Sequence, residues 1–278
     1  MRQALLLLVL AALLISPAMG QLLPQNEAGV TMGHIHLAVK DVDAQKAFFT
    51  NIMHGKLVKN GPLELIEFPG VYIMLRKAEP TDPPAGSILN HFGFVVKDMP
   101  ATLEWWKKNN LKIDPTQNPN ESYVNGPDGI RIEVYGDPYI KNDVQMNHLH
   151  FYTTDPLEMQ AWYAKTFGGR IGRRPSVGSI NVFRLMETVL IPGTNLSLNP
   201  VKERQAPTKG RSLDHIGFEV KNLEAFVKNL EAQGVKMDVP LRQVPNTNIK
   251  IAFLTDPWGT YIELTEGLPP AGHMSVGQ

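Results

Sequence analysis

A ten-residue motif occurs four times in this chain and constrains its fold more than any other feature. Aligned without gaps, the copies are MGHIHLAVKD from Met32, LNHFGFVVKD from Leu89, MNHLHFYTTD from Met146 and LDHIGFEVKN from Leu213. The third position is always histidine, namely His34, His91, His148 and His215. The fifth position alternates between histidine and glycine, namely His36, Gly93, His150 and Gly217. Self-similarity of this kind indicates a repeated supersecondary unit.

Each copy opens a unit in which a strand, a helix and further strands follow one another. In the first copy the polar residues fall at alternate positions, as in a strand with one polar face. Asp41 is a suitable N-cap for a helix over 43–53. Strand-like segments follow at 63–68 and 71–77. The sequence therefore predicts an α+β fold of four βαβββ modules, with helices covering one sheet face.

Proline-rich connections separate the modules and suggest how they group. We expect an N-terminal lead at 21–31, a linker at 138–145 and a tail at 268–278. The first domain then covers 32–137 and holds modules 1 and 2. The second covers 146–267 and holds modules 3 and 4.

Residues 1–20 have the composition of a secretory signal peptide. Arg2 supplies the positive start, an apolar run follows from Ala4 to Ile15, and small residues precede Gln21. The apolar run is shorter than the roughly 20 residues of a membrane span. We therefore expect an exported protein, periplasmic or extracellular, without a stable membrane span after cleavage. Retention of this segment as an anchor is the alternative.

The overall composition excludes several classes of function. The chain of 278 residues has 27 basic and 27 acidic residues and no cysteine. Without a basic run, nucleic acid is not an expected partner. Without cysteine there is no thiolate ligand or nucleophile, so a metal site must use histidine and carboxylate.

Two glutamates complete the candidate metal sites. Glu133 lies four residues after Gly129 and Glu263 four residues after Gly259, each in a predicted closing strand. A carboxylate on such a strand needs a partner. Combining the glutamates with the repeated histidines within each half gives two expected sets of ligands: His34, His91 and Glu133 in the first domain, and His148, His215 and Glu263 in the second. Two histidines and one carboxylate are typical of a divalent Fe²⁺, Mn²⁺, Ni²⁺ or Zn²⁺ ion with open positions.

These motifs resemble the vicinal oxygen chelate superfamily, which includes glyoxalase I, extradiol dioxygenases and the fosfomycin- and bleomycin-resistance proteins. The resemblance covers nearly all of residues 32–266. It implies two glyoxalase-like domains, each of paired βαβββ modules around a metal or ligand cleft. Glyoxalase I-like members take a second carboxylate from the last strand of the odd modules, where this chain has Met74 and Ser197. The pattern is closer to the three-ligand site of ring-cleaving dioxygenases.

The resemblance also implies candidate residues for catalysis. Dioxygenases of this superfamily have a tyrosine ten residues before the glutamate, and this chain has Tyr123 in the first domain but Phe253 in the second. We expect Tyr123 to act as an acid–base or hydrogen-bonding group, with His36 beside it as a supporting residue. Arg170, Arg173 and Arg174 form a basic cluster that is either a solvated surface or a site for a carboxylate.

Three functions remain open at this point. The first is an exported metal-dependent enzyme that acts on a small oxygen-bearing molecule, such as an aromatic diol, chelated to the metal. The second is a protein that binds and sequesters a small molecule without turnover. The third is a lyase or isomerase of the glyoxalase I type. A monomer or a homodimer is compatible with each of them.

Overall fold

The computed structural model describes residues 22–176 and 184–269. The predicted signal peptide and most of the predicted tail lie outside these residues. No helix in the described parts of the chain is long and apolar enough to cross a membrane.

Four modules follow one another as the repeat predicts, each with one helix and four strands. Module 1 comprises β1 (Val30–Val39), α1 (Val42–Ala47), β2 (Lys56–Asn60), β3 (Leu63–Phe68) and β4 (Val71–Lys77). Module 2 comprises β5 (Leu89–Val96), α2 (Met99–Lys108), β6 (Lys112–Pro115), β7 (Glu121–Asn125) and β8 (Arg131–Gly136). Module 3 comprises β9 (Val144–Thr153), α3 (Pro156–Phe167), β10 (Arg170–Ser176), β11 (Arg184–Ile191) and β12 (Thr194–Pro200). Module 4 comprises β13 (Leu213–Val220), α4 (Leu223–Ala232), β14 (Met237–Gln243), β15 (Lys250–Thr255) and β16 (Tyr261–Glu266).

The last residue of the repeated motif begins the helix in three of the modules. The side chain of Asp41 accepts a hydrogen bond from the N–H of Ala44, and Asp98 and Asn222 cap α2 and α4 in the same way. Each cap satisfies an N–H group that has no partner inside the helix. The predicted helix over 43–53 is α-helical only to Ala47 and continues as a π-helical turn over Phe48–Ile52.

The modules combine into two mixed sheets of eight strands each. One sheet has the order β14-β15-β16-β13-β1-β4-β3-β2 and joins modules 1 and 4. The other has the order β10-β11-β12-β9-β5-β8-β7-β6 and joins modules 2 and 3. The predicted α+β class with paired βαβββ modules is confirmed. The pairing within each half of the sequence is wrong for the sheets, because β1 pairs with β13 and β5 pairs with β9, antiparallel in both cases.

The main hydrophobic core lies on the sheet faces opposite to the histidines of the repeated motif, and it connects modules that are neighbours in sequence. In modules 1 and 2 the rings of Phe49 and Phe92 stack, with centroids 6.5 Å apart, and Phe68 contacts Phe94 at 4.7 Å. In modules 3 and 4 the ring of Phe167 lies 4.6 Å from that of Phe218. Each half of the chain therefore shares core packing, while each sheet crosses between the halves. The boundary predicted at 138–145 itself stays a prediction.

The buried carboxyl group of Glu219 holds the segment after β16 against the sheet that joins modules 1 and 4. Glu219 accepts hydrogen bonds from the hydroxyl of Thr265 at 2.6 Å and from the N–H of Gly267 at 2.7 Å. Burial raises the pKa of Glu219 to about 7, although these hydrogen bonds oppose the shift. The folded protein therefore binds a proton here at pH values where the unfolded chain has released it.

We expect Glu219→Gln to remove a pH dependence from stability. Because the folded pKa of Glu219 is above the unfolded value, its contribution is fully present below about pH 4.5 and is lost as pH rises through about 7. The change is at most about 3 kcal/mol in the free energy of unfolding. Urea unfolding at pH 5 and pH 8 measures the free energy of unfolding of the variant relative to the wild type. This difference should be more favourable to the variant at pH 8 than at pH 5. Glu266→Gln is the control, since Lys250 lowers the pKa of Glu266 against the effect of burial. An equal effect of Glu219→Gln at both pH values would contradict the prediction.

Candidate metal centres

Two clusters of histidine and glutamate lie on the sheets, one on a single face of each sheet. The 1–4 centre consists of His34, His36, His215 and Glu263, and the 2–3 centre consists of His91, His148, His150 and Glu133. In each cluster one candidate ligand atom per residue lies within 4.8 Å of all the others. Every described histidine of the repeated motif is therefore in one of these two centres.

In the 1–4 centre two imidazoles meet the same carboxylate oxygen. The Nε2 atoms of His34 and His215 lie 2.9 and 3.0 Å from Oε2 of Glu263. The ring of His36 lies beside that of His215, with centroids 4.4 Å apart. The side chains of His34 and His215 are buried.

The 2–3 centre repeats this geometry with an additional phenol. Nε2 of His91 lies 2.8 Å from Oε2 of Glu133, and Nε2 of His148 lies 3.4 Å from the same oxygen. Nδ1 of His150 lies 3.6 Å from it. The hydroxyl of Tyr123 donates a hydrogen bond to this oxygen at 3.1 Å. The ten-residue spacing places Tyr123 directly opposite Glu133 on neighbouring strands, as Phe253 is opposite Glu263 in the 1–4 centre.

The expected assembly of each site within one half of the sequence is wrong. His34 does not join His91 and Glu133 but lies with His215 and Glu263, and His148 takes the corresponding place in the 2–3 centre. It follows that Tyr123 and His36, expected together, lie in different centres. The reason is the antiparallel pairing of the opening strands, which brings β1 beside β13 and β9 beside β5.

Close packing across the opening strands explains the alternation at the fifth position of the motif. Gly217 lies opposite His34, and Gly93 lies opposite His148. A Cβ atom at either glycine would lie 2.0 Å from Cε1 of the facing imidazole. The glycine thus leaves the space in which the histidine ring of the partner module lies.

Several buried ring nitrogens in these centres lack a hydrogen-bond partner among the described residues. They are Nδ1 of His34, both nitrogens of His36, Nε2 of His148 and Nε2 of His150. Buried polar atoms without a partner are costly, and a metal ion would satisfy those that face it. Imidazole and carboxylate are donors for Fe²⁺, Mn²⁺, Ni²⁺ and Zn²⁺. The residues present therefore fit a divalent ion at each centre.

Neighbouring side chains orient three of the imidazoles. Oδ1 of Asp214 lies 2.6 Å from Nδ1 of His215, and Asn90 and Asn147 make the same contact with His91 and His148. Each contact leaves Nε2 directed at the glutamate. Hydrogen bonds of this type fix the orientation of metal-binding imidazoles.

The electrostatics favour an ionised glutamate in each centre and neutral imidazoles at His36, His91 and His150, because burial lowers the pKa of these three rings. Burial by itself would raise the pKa of Glu133, but the close approach of the imidazoles of His148, His150 and His91 holds it well below its usual range. Burial lowers the pKa of His91 to about 3, although its contact with Glu133 opposes this shift. In the 1–4 centre the pKa of His215 is raised instead, because Asp214 and Glu263 outweigh the effect of burial. An ionised carboxylate with neutral imidazoles is the state that binds a metal.

The sequence underestimated His36 and His150. From the sequence we expect His36 to support the ligands, yet the ring nitrogens of both His36 and His150 lie in the clusters themselves. The signal was present, because residues two apart in a strand project from the same face. Met74 and Ser197, at the positions where the resemblance implies a carboxylate, are the register neighbours of His36 and His150. Each centre thus has a fourth donor, an imidazole nitrogen, near the place of the missing carboxylate.

This fold and these centres define a known class of protein. The family model described as the Glyoxalase/Bleomycin resistance protein/Dioxygenase superfamily matches residues 31–134 and 145–264. The chain belongs to this superfamily, and its members use divalent metals. Among curated proteins, none matches the chain significantly.

Solved structures share the fold over most of the chain at low sequence identity. Glyoxalase I from Zea mays is 18% identical with a TM-score of 0.66, and the match covers 85% of this chain and 92% of the maize chain. A candidate dioxygenase from Bacillus subtilis is 16% identical with a TM-score of 0.63, and the match covers 87% of each chain. At such identities the likeness is one of fold alone.

Proposed function

We propose that this protein is an exported metal-dependent enzyme that acts on a small oxygen-bearing molecule, such as an aromatic diol. The observation that carries the proposal is the presence, in each sheet, of three imidazoles and a glutamate with their donor atoms within 4.8 Å. Export is supported by the signal-like composition of residues 1–20.

A bound divalent ion would act as a Lewis acid toward the vicinal oxygens of a chelated ligand. If the ion is iron, it would also supply the capacity to activate molecular oxygen. The glutamate and the imidazoles of each centre would hold that ion. In the 2–3 centre the hydroxyl of Tyr123, which donates to Glu133, could turn its single proton toward a bound ligand instead. Burial and the negative charge of Glu133 raise the pKa of Tyr123, so the phenol stays protonated at neutral pH. Tyr123 is therefore suited to hydrogen bonding or to proton donation.

Two other functions are supported by particular observations. A sequestering protein without turnover is favoured by Phe253, which replaces tyrosine and leaves the 1–4 centre without the phenol. A lyase or isomerase of the glyoxalase I type is favoured by His36 and His150, which give each centre four candidate donors instead of three. These functions differ in turnover and in their need for oxygen.

Metal analysis of the purified chain tests the proposal. We expect about two ions per chain after growth with Fe²⁺, Mn²⁺, Ni²⁺ and Zn²⁺, because both donor sets suit divalent ions. Fewer than about 0.2 ions per chain would exclude a metalloenzyme.

Oxygen uptake with catechols by the Fe²⁺-loaded protein then separates a dioxygenase from a lyase or isomerase. Binding of catechols without any turnover would favour sequestration. Recovery of a mature chain that begins near Gln21 outside the cytoplasm would test export.

A further inference from the structure

The walls of the two centres differ far more than the centres themselves. The wall of the 1–4 centre is apolar, with Val58, Leu65, Ile251 and Phe253 in a second hydrophobic cluster. Modules 1 and 3 can be aligned at the glycine and basic residue that follow their helices, Gly55-Lys56 and Gly169-Arg170. Counting along the strands from there, Val58 corresponds to Gly172. Their cross-strand partners, Leu65 and Thr188, then also correspond. Apolar side chains in one centre are thus replaced by small or polar residues in the other.

The segment after β16 also covers the apolar wall of the 1–4 centre. Leu268 is buried in the same cluster, and Glu219 accepts a hydrogen bond from its N–H at 3.2 Å. The hydroxyl of Tyr72 donates to the carbonyl oxygen of Pro269 at 2.8 Å. These contacts pack the segment after β16 against the apolar wall of the 1–4 centre.

The 2–3 centre has a partly buried cation, Arg174, on the strand of module 3 that corresponds to β2 of module 1. Nη2 of Arg174 donates a hydrogen bond to the hydroxyl of Ser197 at 3.0 Å. Ser197 is the register neighbour of His150, so this guanidinium lies beside the 2–3 centre. The same correspondence places Asn60 at this position of module 1.

Arg174 forms no ion pair within the part of the chain that the structure describes, although its charge lowers the pKa of the more distant Glu121 against the effect of burial. Its Nε atom is buried without a hydrogen-bond partner among residues 22–176 and 184–269. Within the same residues no carboxylate oxygen lies within 4.0 Å of its guanidinium, whereas the adjacent Arg173 pairs with Glu187 at 2.8 Å. A buried N–H without a partner is costly. A guanidinium presents its donors as a fork that matches the two oxygens of a carboxylate.

From these observations we propose that the ligand of the 2–3 centre carries a carboxylate or a similar oxyanion, which Arg174 binds while the ligand's vicinal oxygens face the histidines and Glu133. The 1–4 centre, with Asn60 and an apolar wall, does not bind this ligand. This proposal rests on the function proposed above and adds the charge of the substrate and the centre that takes it.

Two probes that differ by one carboxylate test the proposal on the metal-loaded full chain. Calorimetry is expected to show that 3,4-dihydroxybenzoate binds the wild type roughly 10-fold to 100-fold more tightly than catechol, the range of a charge-assisted hydrogen bond. Arg174→Met should remove this preference by weakening only the carboxylate probe, and Arg174→Lys should retain part of it. Arg173→Met is the matched control, because Arg173 is exposed and paired, and it should leave the preference unchanged.

The choice of centre is tested with the same probes. Glu133→Gln should abolish binding of 3,4-dihydroxybenzoate, and Glu263→Gln should leave it intact, with circular dichroism confirming that both variants are folded. A metal-loaded wild type that binds the two probes equally, or binds neither, would overturn the Arg174 proposal and leave the metalloenzyme proposal standing. Loss of the preference in Arg173→Met, or its survival in Arg174→Met, would also overturn it. A chain that holds no metal would overturn both proposals.

Discussion

Replacing His34 and His215 together by alanine is expected to remove one metal ion per chain, whereas replacing His34 and His91 together removes both. The reason is that His34 and His215 meet the same oxygen of Glu263, while His91 meets Glu133 in the other sheet. Loss of two imidazoles from one centre leaves the four donors of the second centre in place. Loss of one imidazole from each leaves two incomplete centres.

Metal analysis of three double variants measures this difference. His34→Ala/His215→Ala and His91→Ala/His148→Ala should each retain about one ion, and His34→Ala/His91→Ala should retain almost none, because loss of a ligand strongly weakens metal binding. Thermal unfolding of each variant controls for loss of the fold. Sites assembled within the halves of the sequence would give a different result, since His34→Ala/His91→Ala would then retain one ion and His34→Ala/His215→Ala none.

Gly93→Ala is expected to empty the 2–3 centre although residue 93 contributes no ligand atom. Its Cβ atom would lie 2.0 Å from Cε1 of His148, so the imidazole or the strands must move. Displaced ligands typically lose about 100-fold in metal affinity, and an overpacked core costs about 1–3 kcal/mol in the free energy of unfolding. Metal titration followed by urea unfolding measures both effects. Gly217→Ala is the matched variant, and it should weaken only the 1–4 centre by displacing His34.

A double variant distinguishes this close contact from a general effect of losing glycine. In Gly93→Ala/His148→Ala the ring is absent, so the added methyl group has space. The double variant should unfold at a higher urea concentration than additivity of the two single variants predicts, because residues in contact are not independent. Unchanged metal affinity in Gly93→Ala, or strict additivity of the stability effects, would contradict the contact as the cause.

Much of the fold is predictable from local sequence because its determinants are local. Alternation of polar and apolar residues identifies the opening strands, since side chains project to opposite faces with a period of two. Asp41, Asp98 and Asn222 mark helix starts because capping involves an N–H only three residues away. The spacing between Tyr123 and Glu133 indicates a cross-strand pair because a short hairpin fixes the register.

The sequence by itself determined the four modules, their helices and strands, and the histidines and glutamates on the polar faces of those strands. Only the tertiary structure decided which module completes which centre. All four opening strands carry the same motif, so pairing of module 1 with module 2 or with module 4 satisfies the local pattern equally. That choice depends on contacts between residues more than 170 positions apart, such as His34 with Gly217. The alternation of histidine and glycine in the motif is consistent with this pairing, because each glycine faces a histidine of the partner module. Only the folded strands show the reason, which is that a Cβ atom at the glycine would lie 2.0 Å from Cε1 of that histidine.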